Sequence, residues 1–206
     1  MIRKEAENNE IRDMLALKST QQILYVNTTI DTQAIIDHPE WYAISKDPNN
    51  PTMINTRQVP DPNDPKKTVP FNPIYMVATY NSSMYSGTTD LKVNAQVGDH
   101  ICWASQSETS NMDHAAYIYK IFGDENVFYN TTTSYHNYQK EVKVPSRKDP
   151  LTLVSETRTF PFVDAAIENR GSEAYHFCFE VYKRGTDGTQ QLYGYFKEDP
   201  RIEVKQ

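Results

Sequence analysis

The chain has 206 residues, a formal net charge of −6 and a pI near 5.4, a length that suits one large β domain able to bury roughly 70% of its unfolded surface without a staple. Lys and Arg form no cluster, which argues against partners such as nucleic acid or anionic lipid, and no apolar run approaches the roughly 18 residues of a membrane helix. Aromatic residues make up 12% of the chain, with 14 Tyr and 8 Phe, so rings must supply much of the buried area and strands are favoured.

Residues 1–20 read as an N-terminal extension. Ile11, Met14, Leu15 and Lys18 fall at helical spacing and predict a short amphipathic helix within residues 4–18. The segment has no apolar run of the kind a secretory signal carries, so a cytoplasmic location is the expectation. Cys102 and Cys178 are the two cysteines, which fits reduced thiols better than a disulfide framework. The Asn-x-Ser/Thr triplets at Asn27, Asn81 and Asn130 carry no weight in a chain that is not secreted.

Residues 21–206 read as a single domain. Ile23 to Ile30 is rich in β-branched residues and predicts a first strand. Asp31 then caps a short turn of helix through Ile36, which Pro39 ends. Residues 45–73 hold seven prolines among Asp, Asn and Lys, a density that predicts a long loop with no ladder of backbone hydrogen bonds. Such loops are functional or are simply solvated connections; on the first reading Asp47, Asn49, Asn50, Asp61 and Asp64 are candidate binding residues. Asp61-Pro62-Asn63-Asp64 resembles the start of a calcium loop but lacks the turn glycine, and its twelfth position is Asn72 where a bidentate Glu belongs. It is no EF-hand, and calcium is left as a cofactor only through a site built from loop carboxylates.

Further strands are predicted at Ile74–Tyr80, Thr89–Asn94, His100–Ser105, Ala115–Phe122, Tyr138–Val144, Leu151–Phe160, Tyr175–Lys183 and Gln191–Lys197. Nine strands separated by Gly, Pro, Asn and Ser turns make the expected fold all-β, a two-sheet β-sandwich or jelly roll with a short N-terminal helix. Arg184-Gly185-Thr186-Asp187-Gly188 predicts a hairpin turn with two glycines able to take positive φ. The strand before it alternates, Tyr175, Phe177, Phe179 and Val181 against His176, Cys178, Glu180 and Tyr182, and the aromatic set should face the core. Ile101 and Trp103 likewise oppose His100, Cys102 and Ala104.

Chemistry is sparse. There is no phosphate-cradling glycine loop, no Gly-x-Ser-x-Gly elbow and no His-Glu-x-x-His, so the expectation is that the protein is not an enzyme. His100-Ile101-Cys102 and His176-Phe177-Cys178 each put an imidazole and a thiol on one side of a strand, and four zinc ligands would converge if those strands were neighbours. The competing reading makes each Cys a small buried hydrophobe, with no metal bound.

Four segments then resemble, in order and spacing, the PixA/AidA inclusion-body protein family of bacteria: Thr29-Ile30-Asp31 through Ile36, Ser45-Lys46-Asp47-Pro48-Asn49-Asn50-Pro51-Thr52, Val97-Gly98-Asp99-His100-Ile101-Cys102-Trp103, and Ala116-Tyr117-Ile118-Tyr119-Lys120-Ile121. The similarity runs from about Gln22 to about Pro200. It implies an abundant cytoplasmic protein that packs into inclusions and carries no catalytic residues. Residues 1–20 and the long Pro-rich stretch from Gln58 to Pro73 depart from the family pattern. For the matching residues a structural role follows: Gly98 turns the chain, Asp99 bonds back to the loop, and Trp103, with Phe177 and Phe179, anchors the core. Three functions result: a self-assembling, storage-like inclusion protein whose partner is itself, as homo-oligomer or crystalline inclusion; a lectin-like module for glycans, with or without calcium; and a hydrolase with a scattered site.

Overall fold

The computed structural model of the protein describes residues 22–78, 83–84, 87–89, 91–123, 127–128 and 134–205. The predicted helix within residues 4–18 lies outside them, as do Asn81, Asn130 and the end of the strand predicted at Ile74–Tyr80. Among the described residues the fold is all-β apart from α1 (Thr32–Asp37), whose first turn is capped by the Asp31 carboxylate accepting from the Ala34 N–H at 2.9 Å. None of its described helices is long and apolar enough to cross a membrane.

One sheet has five strands in the order β10 (Ser134–Pro145), β11 (Leu153–Ala166), β8 (His100–Ser107), β1 (Ile23–Ile30), β5 (Ile74–Ala78). The other centres on β12 (Gly171–Arg184), flanked on one edge by β9 (Ala115–Gly123) and on the other by β13 (Gln190–Glu198) and β14 (Arg201–Lys205). β2 (Thr52–Met53) extends it beside β13, and β7 (Lys92–Gln96) then β6 (Ser83–Met84) extend it beside β14. β3 (Arg57–Asp61) and β4 (Asp64–Phe71) form a separate two-stranded ribbon.

That ribbon corrects the expectation for residues 45–73. Pro60 and Pro70 are accommodated because Gln58–Pro70 and Pro60–Thr68 are cross-strand pairs of the same parity, the one in which backbone N–H groups point away from the partner strand. A two-stranded ribbon is all edge, so proline can stand in it where no central strand would accept one.

The sheets close on one core. Trp103 of β8 and Tyr175, Phe177, Phe179 and Val181 of β12 are all 0% exposed. The Trp103 indole donates to the Tyr175 hydroxyl at 3.1 Å, and Phe128 packs edge-on against both rings. The inward face of β12 is thus the aromatic one, fixed by period-two alternation. At the entry to β8, Gly98 takes φ +96°. The buried Asp99 carboxylate accepts from Gln96 N at 2.8 Å and Gln22 N at 2.9 Å, tying β7, β8 and β1 together. In the hairpin between β12 and β13, Gly188 takes φ +80° while Gly185 does not adopt a positive φ.

Candidate functional site

The candidate binding residues of the Pro-rich segment fall in two places. Asp47, Asn49 and Asn50 build a tight turn: the Asp47 carboxylate accepts from Asn49 N at 2.9 Å, and the Ser45 hydroxyl donates to the Asn50 carbonyl at 2.8 Å. The turn is held against the second sheet by the Tyr119 hydroxyl, which donates to the Pro48 carbonyl at 2.7 Å. Asp61 and Asp64 instead close the turn of the β3–β4 ribbon, each accepting from a backbone N–H two residues on. The carboxylates are thus engaged in their own turns, and no group of three or more His, Cys, Asp or Glu suited to a metal ion occurs among the described residues.

The four-ligand zinc alternative is corrected by the topology. His100 and Cys102 lie on β8 and His176 and Cys178 on β12, strands of different sheets whose inner faces meet through Trp103 and Tyr175. Period-two alternation then puts the two His-x-Cys pairs on opposite outer faces of the sandwich. Burial, with the Asp164 charge adding to it, pushes the Cys102 thiol up to about 12. Burial also raises Cys178. Both are protonated thiols at neutral pH.

What the strands do bring together on the outer face of the five-stranded sheet is a His-Asp-His group. Buried Asp164 of β11 lies 2.9 Å from His136 Nε2 of β10 and 3.8 Å from His100 Nδ1 of β8. Sequence reading missed it because three strands contribute one residue each; the one local signal is an Asp amid the apolar run Phe160-Pro161-Phe162-Val163 and Ala165-Ala166.

The group sits at the root of a projection. β11 is in register with β8 only from Val163 to Ala166, although it pairs with β10 from Leu153 to Asp164. Pro161 ends the β8 ladder. Its pairing with Asn137 of β10 must be of the kind with no mutual N–H···O bonds, so its nitrogen points toward β8, where it has no hydrogen to give. Beyond it, β10 and β11 leave the sandwich as a two-stranded arm. Exposed apolar side chains stud this arm: Leu151 at 92%, Leu153 at 58%, Val154 at 44% and Phe160 at 42%.

A groove of about 1050 Å³ opens at the arm's base. Tyr25 and Asn27 of β1, Tyr138 of β10, and Arg158, Phe160 and Phe162 of β11 line it. Tyr138 and Phe162 lie tilted with centroids 5.3 Å apart, and Lys140 sits 5.0 Å over the Tyr138 ring. The arm is basic: residues 136–160 hold five Lys or Arg against three Asp or Glu, in a chain whose net charge is −6.

Comparison with known proteins gives two kinds of finding. A family described as PixA, inclusion body protein, matches residues 22–204. Among solved structures, the inclusion body protein PixA from Burkholderia cenocepacia J2315 is similar, with 21% identity, a TM-score of 0.66, and coverage of 92% of this chain and 99% of that one. A cysteine protease inhibitor from Entamoeba histolytica matches at 9% identity and a TM-score of 0.26 over 55% of this chain and 85% of that one, too weak a likeness to inform the fold. A comparison with curated proteins gives no match.

Proposed function

The chain belongs to the PixA inclusion body protein family, and from that premise we propose that its folded domain associates with itself and, at high concentration in the cytoplasm, packs as native units into a dense body without performing catalysis. The family match over residues 22–204 carries this reading. The arm supplies a physical basis: an apolar and basic projection on an otherwise acidic domain offers both contact area and attraction between copies. Near the pI of about 5.4 repulsion between copies is least, so solubility should pass through a minimum there and recover as carboxylates ionise. Because the unit is the native fold, the dense phase should redissolve without denaturant. Sedimentation and light scattering across pH and concentration test it; a monomer at millimolar concentration with no solubility minimum sinks it.

A second reading is favoured by the groove. Tyr25, Tyr138, Phe160 and Phe162 beside Asn27 and Arg158 offer ring faces and hydrogen-bond groups of the kind that hold a sugar. Affinity on a glycan array that is lost in Tyr25→Ala would support it, and a flat array would end it.

A further inference from the structure

The arm has an open edge, and its sequence indicates what fits there. The pairs Asn137–Pro161 and Pro145–Leu153 each contain a residue with no N–H, so neither is a mutually hydrogen-bonded pair. In β11 the even residues therefore bond to β10. Leu153, Ser155, Thr157 and Thr159 direct their N–H and C=O to the other edge, where no strand among the described residues pairs with them. From Leu153 to Phe160 this edge has no Pro, Gly or bulge to blunt it. A ribbon of two strands is marginal in water by itself.

Consider a second copy of the strand added antiparallel. Its register must place odd residues opposite odd residues, because only those carry free hydrogen-bonding groups at the edge. Two-fold registers centred on Glu156 or on Arg158 set a like charge opposite itself, and those centred on Ser155 or Thr159 leave both charges facing uncharged side chains. Centred on Thr157, the sequence Val154-Ser155-Glu156-Thr157-Arg158-Thr159-Phe160 is complementary to itself. Val154 meets the second copy's Phe160, Ser155 meets Thr159, and Glu156 meets Arg158, with each relation repeated across the axis. Pro161 falls opposite Leu153 and ends the ladder there.

We propose that β11 pairs with β11 of a second copy of this chain about a two-fold axis at Thr157, making one four-stranded sheet from two arms. This rests on the self-association reading and names its first contact. Main-chain bonds and the Val154–Phe160 contacts supply the attraction, while the exposed charges select the register. In the isolated chain the Glu156 and Arg158 side chains bond to each other at 3.1 Å, so both heads are already held on the face they present. The pairing closes on itself, so it makes the dimer; growth into a larger body needs a further contact.

The test uses the full chain and reads the dimer dissociation constant by sedimentation. Glu156→Lys alone and Arg158→Glu alone each set like charges across the axis twice and should weaken the dimer about tenfold or more. An equimolar mixture of the two should dimerise again, since every reversed charge then faces its opposite across the axis. The bond between residues 156 and 158 within one chain stays broken in both variants, so recovery in the mixture reads only the contact between chains. Thr157→Cys should give a disulfide-linked dimer under mild oxidation, because a hydrogen-bonded pair holds its Cα atoms about 5.5 Å apart and the native Cys102 and Cys178 are buried. If the unmodified protein associates and these variants associate equally, the arm pairing is overturned and self-association stands. If the unmodified protein is monomeric throughout, both fall.

Discussion

β11 and β12 are each 14 residues long and run side by side in the sequence, yet one is the centre of the molecule and the other half leaves it. β12 has a partner on at least one edge along its whole length and on both from Phe177 to Tyr182, and its alternate residues Tyr175, Phe177, Phe179 and Val181 are fully buried. β11 has two partners for only two residues, Val163 and Asp164, and its first eight, Leu153 to Phe160, are all exposed. Strand propensity does not separate them, since both are rich in β-branched and aromatic residues. The difference lies in what the alternation is made of, and in one proline. β12 alternates aromatic with polar residues, while β11 before Pro161 alternates Ser and Thr with charges. A core cannot form on hydroxyls, and a ladder cannot pass a missing N–H.

The largest expected effect lies on the β12 side of this comparison. Trp103→Ala should cost about 3 to 5 kcal/mol in denaturant unfolding, the range for a large aromatic removed from a packed interior. It also leaves the Tyr175 hydroxyl, which accepts from the indole, without that donor. A loss below about 1 kcal/mol would mean that the two sheets are not clamped at this point. Next is Asp99→Ala. Removing a buried carboxylate that accepts from Gln96 N and Gln22 N should cost about 2 to 3 kcal/mol, the scale of hydrogen bonds to charged groups, and thermal unfolding would read it.

A smaller effect, of opposite sign, is expected at Glu180 on the outer face of β12. Burial raises its pKa, and the hydrogen bond from Tyr182 offsets this in part. A raised pKa means that the folded state holds the proton more tightly, so the associated stability is full below the unfolded carboxylate pKa and is lost as pH rises through the folded one. At neutral pH the charge is therefore a net burden, and Glu180→Gln should raise the unfolding midpoint. That gain should shrink toward zero as the pH falls below the carboxylate range. A gain independent of pH would assign it to packing instead.

Much of the β12 half was legible in the sequence, because its information is local. The alternation of Tyr175 to Tyr182, the turn at Arg184–Gly188 and the Asp31 cap each depend on residues within a few positions. The family resemblance was likewise carried by short contiguous segments. What stayed hidden required knowing partners. The β3–β4 ribbon hid because seven prolines argue against a strand unless the parity of pairing is known, and β14 hid behind Pro200. The zinc alternative failed on which sheet each strand joins, a fact no spacing holds. His100, His136 and Asp164 come from three strands, so nothing in one segment announces them. Leu151–Phe160 reads as a strand in the sequence, but that it stands outside the sandwich follows only once Pro161 is seen to face β8.

The smallest effect on stability should come from the arm's apolar tip, and it tests the contrast most directly. Leu151 and Leu153 are 92% and 58% exposed, so replacing them removes little area from any packed environment. The double variant Leu151→Ser, Leu153→Ser should shift the urea midpoint by no more than about 0.5 kcal/mol, the usual range for surface positions. Its association should respond far more. With exposed apolar area gone from the projection, turbidity near pH 5.4 should require a higher protein concentration than the unmodified chain needs. The two readouts must separate, because the arm contributes to contacts between copies and not to the core. A loss of more than about 1 kcal/mol would show that the tip folds back on its own sandwich in solution, covering the edge a second copy is meant to meet.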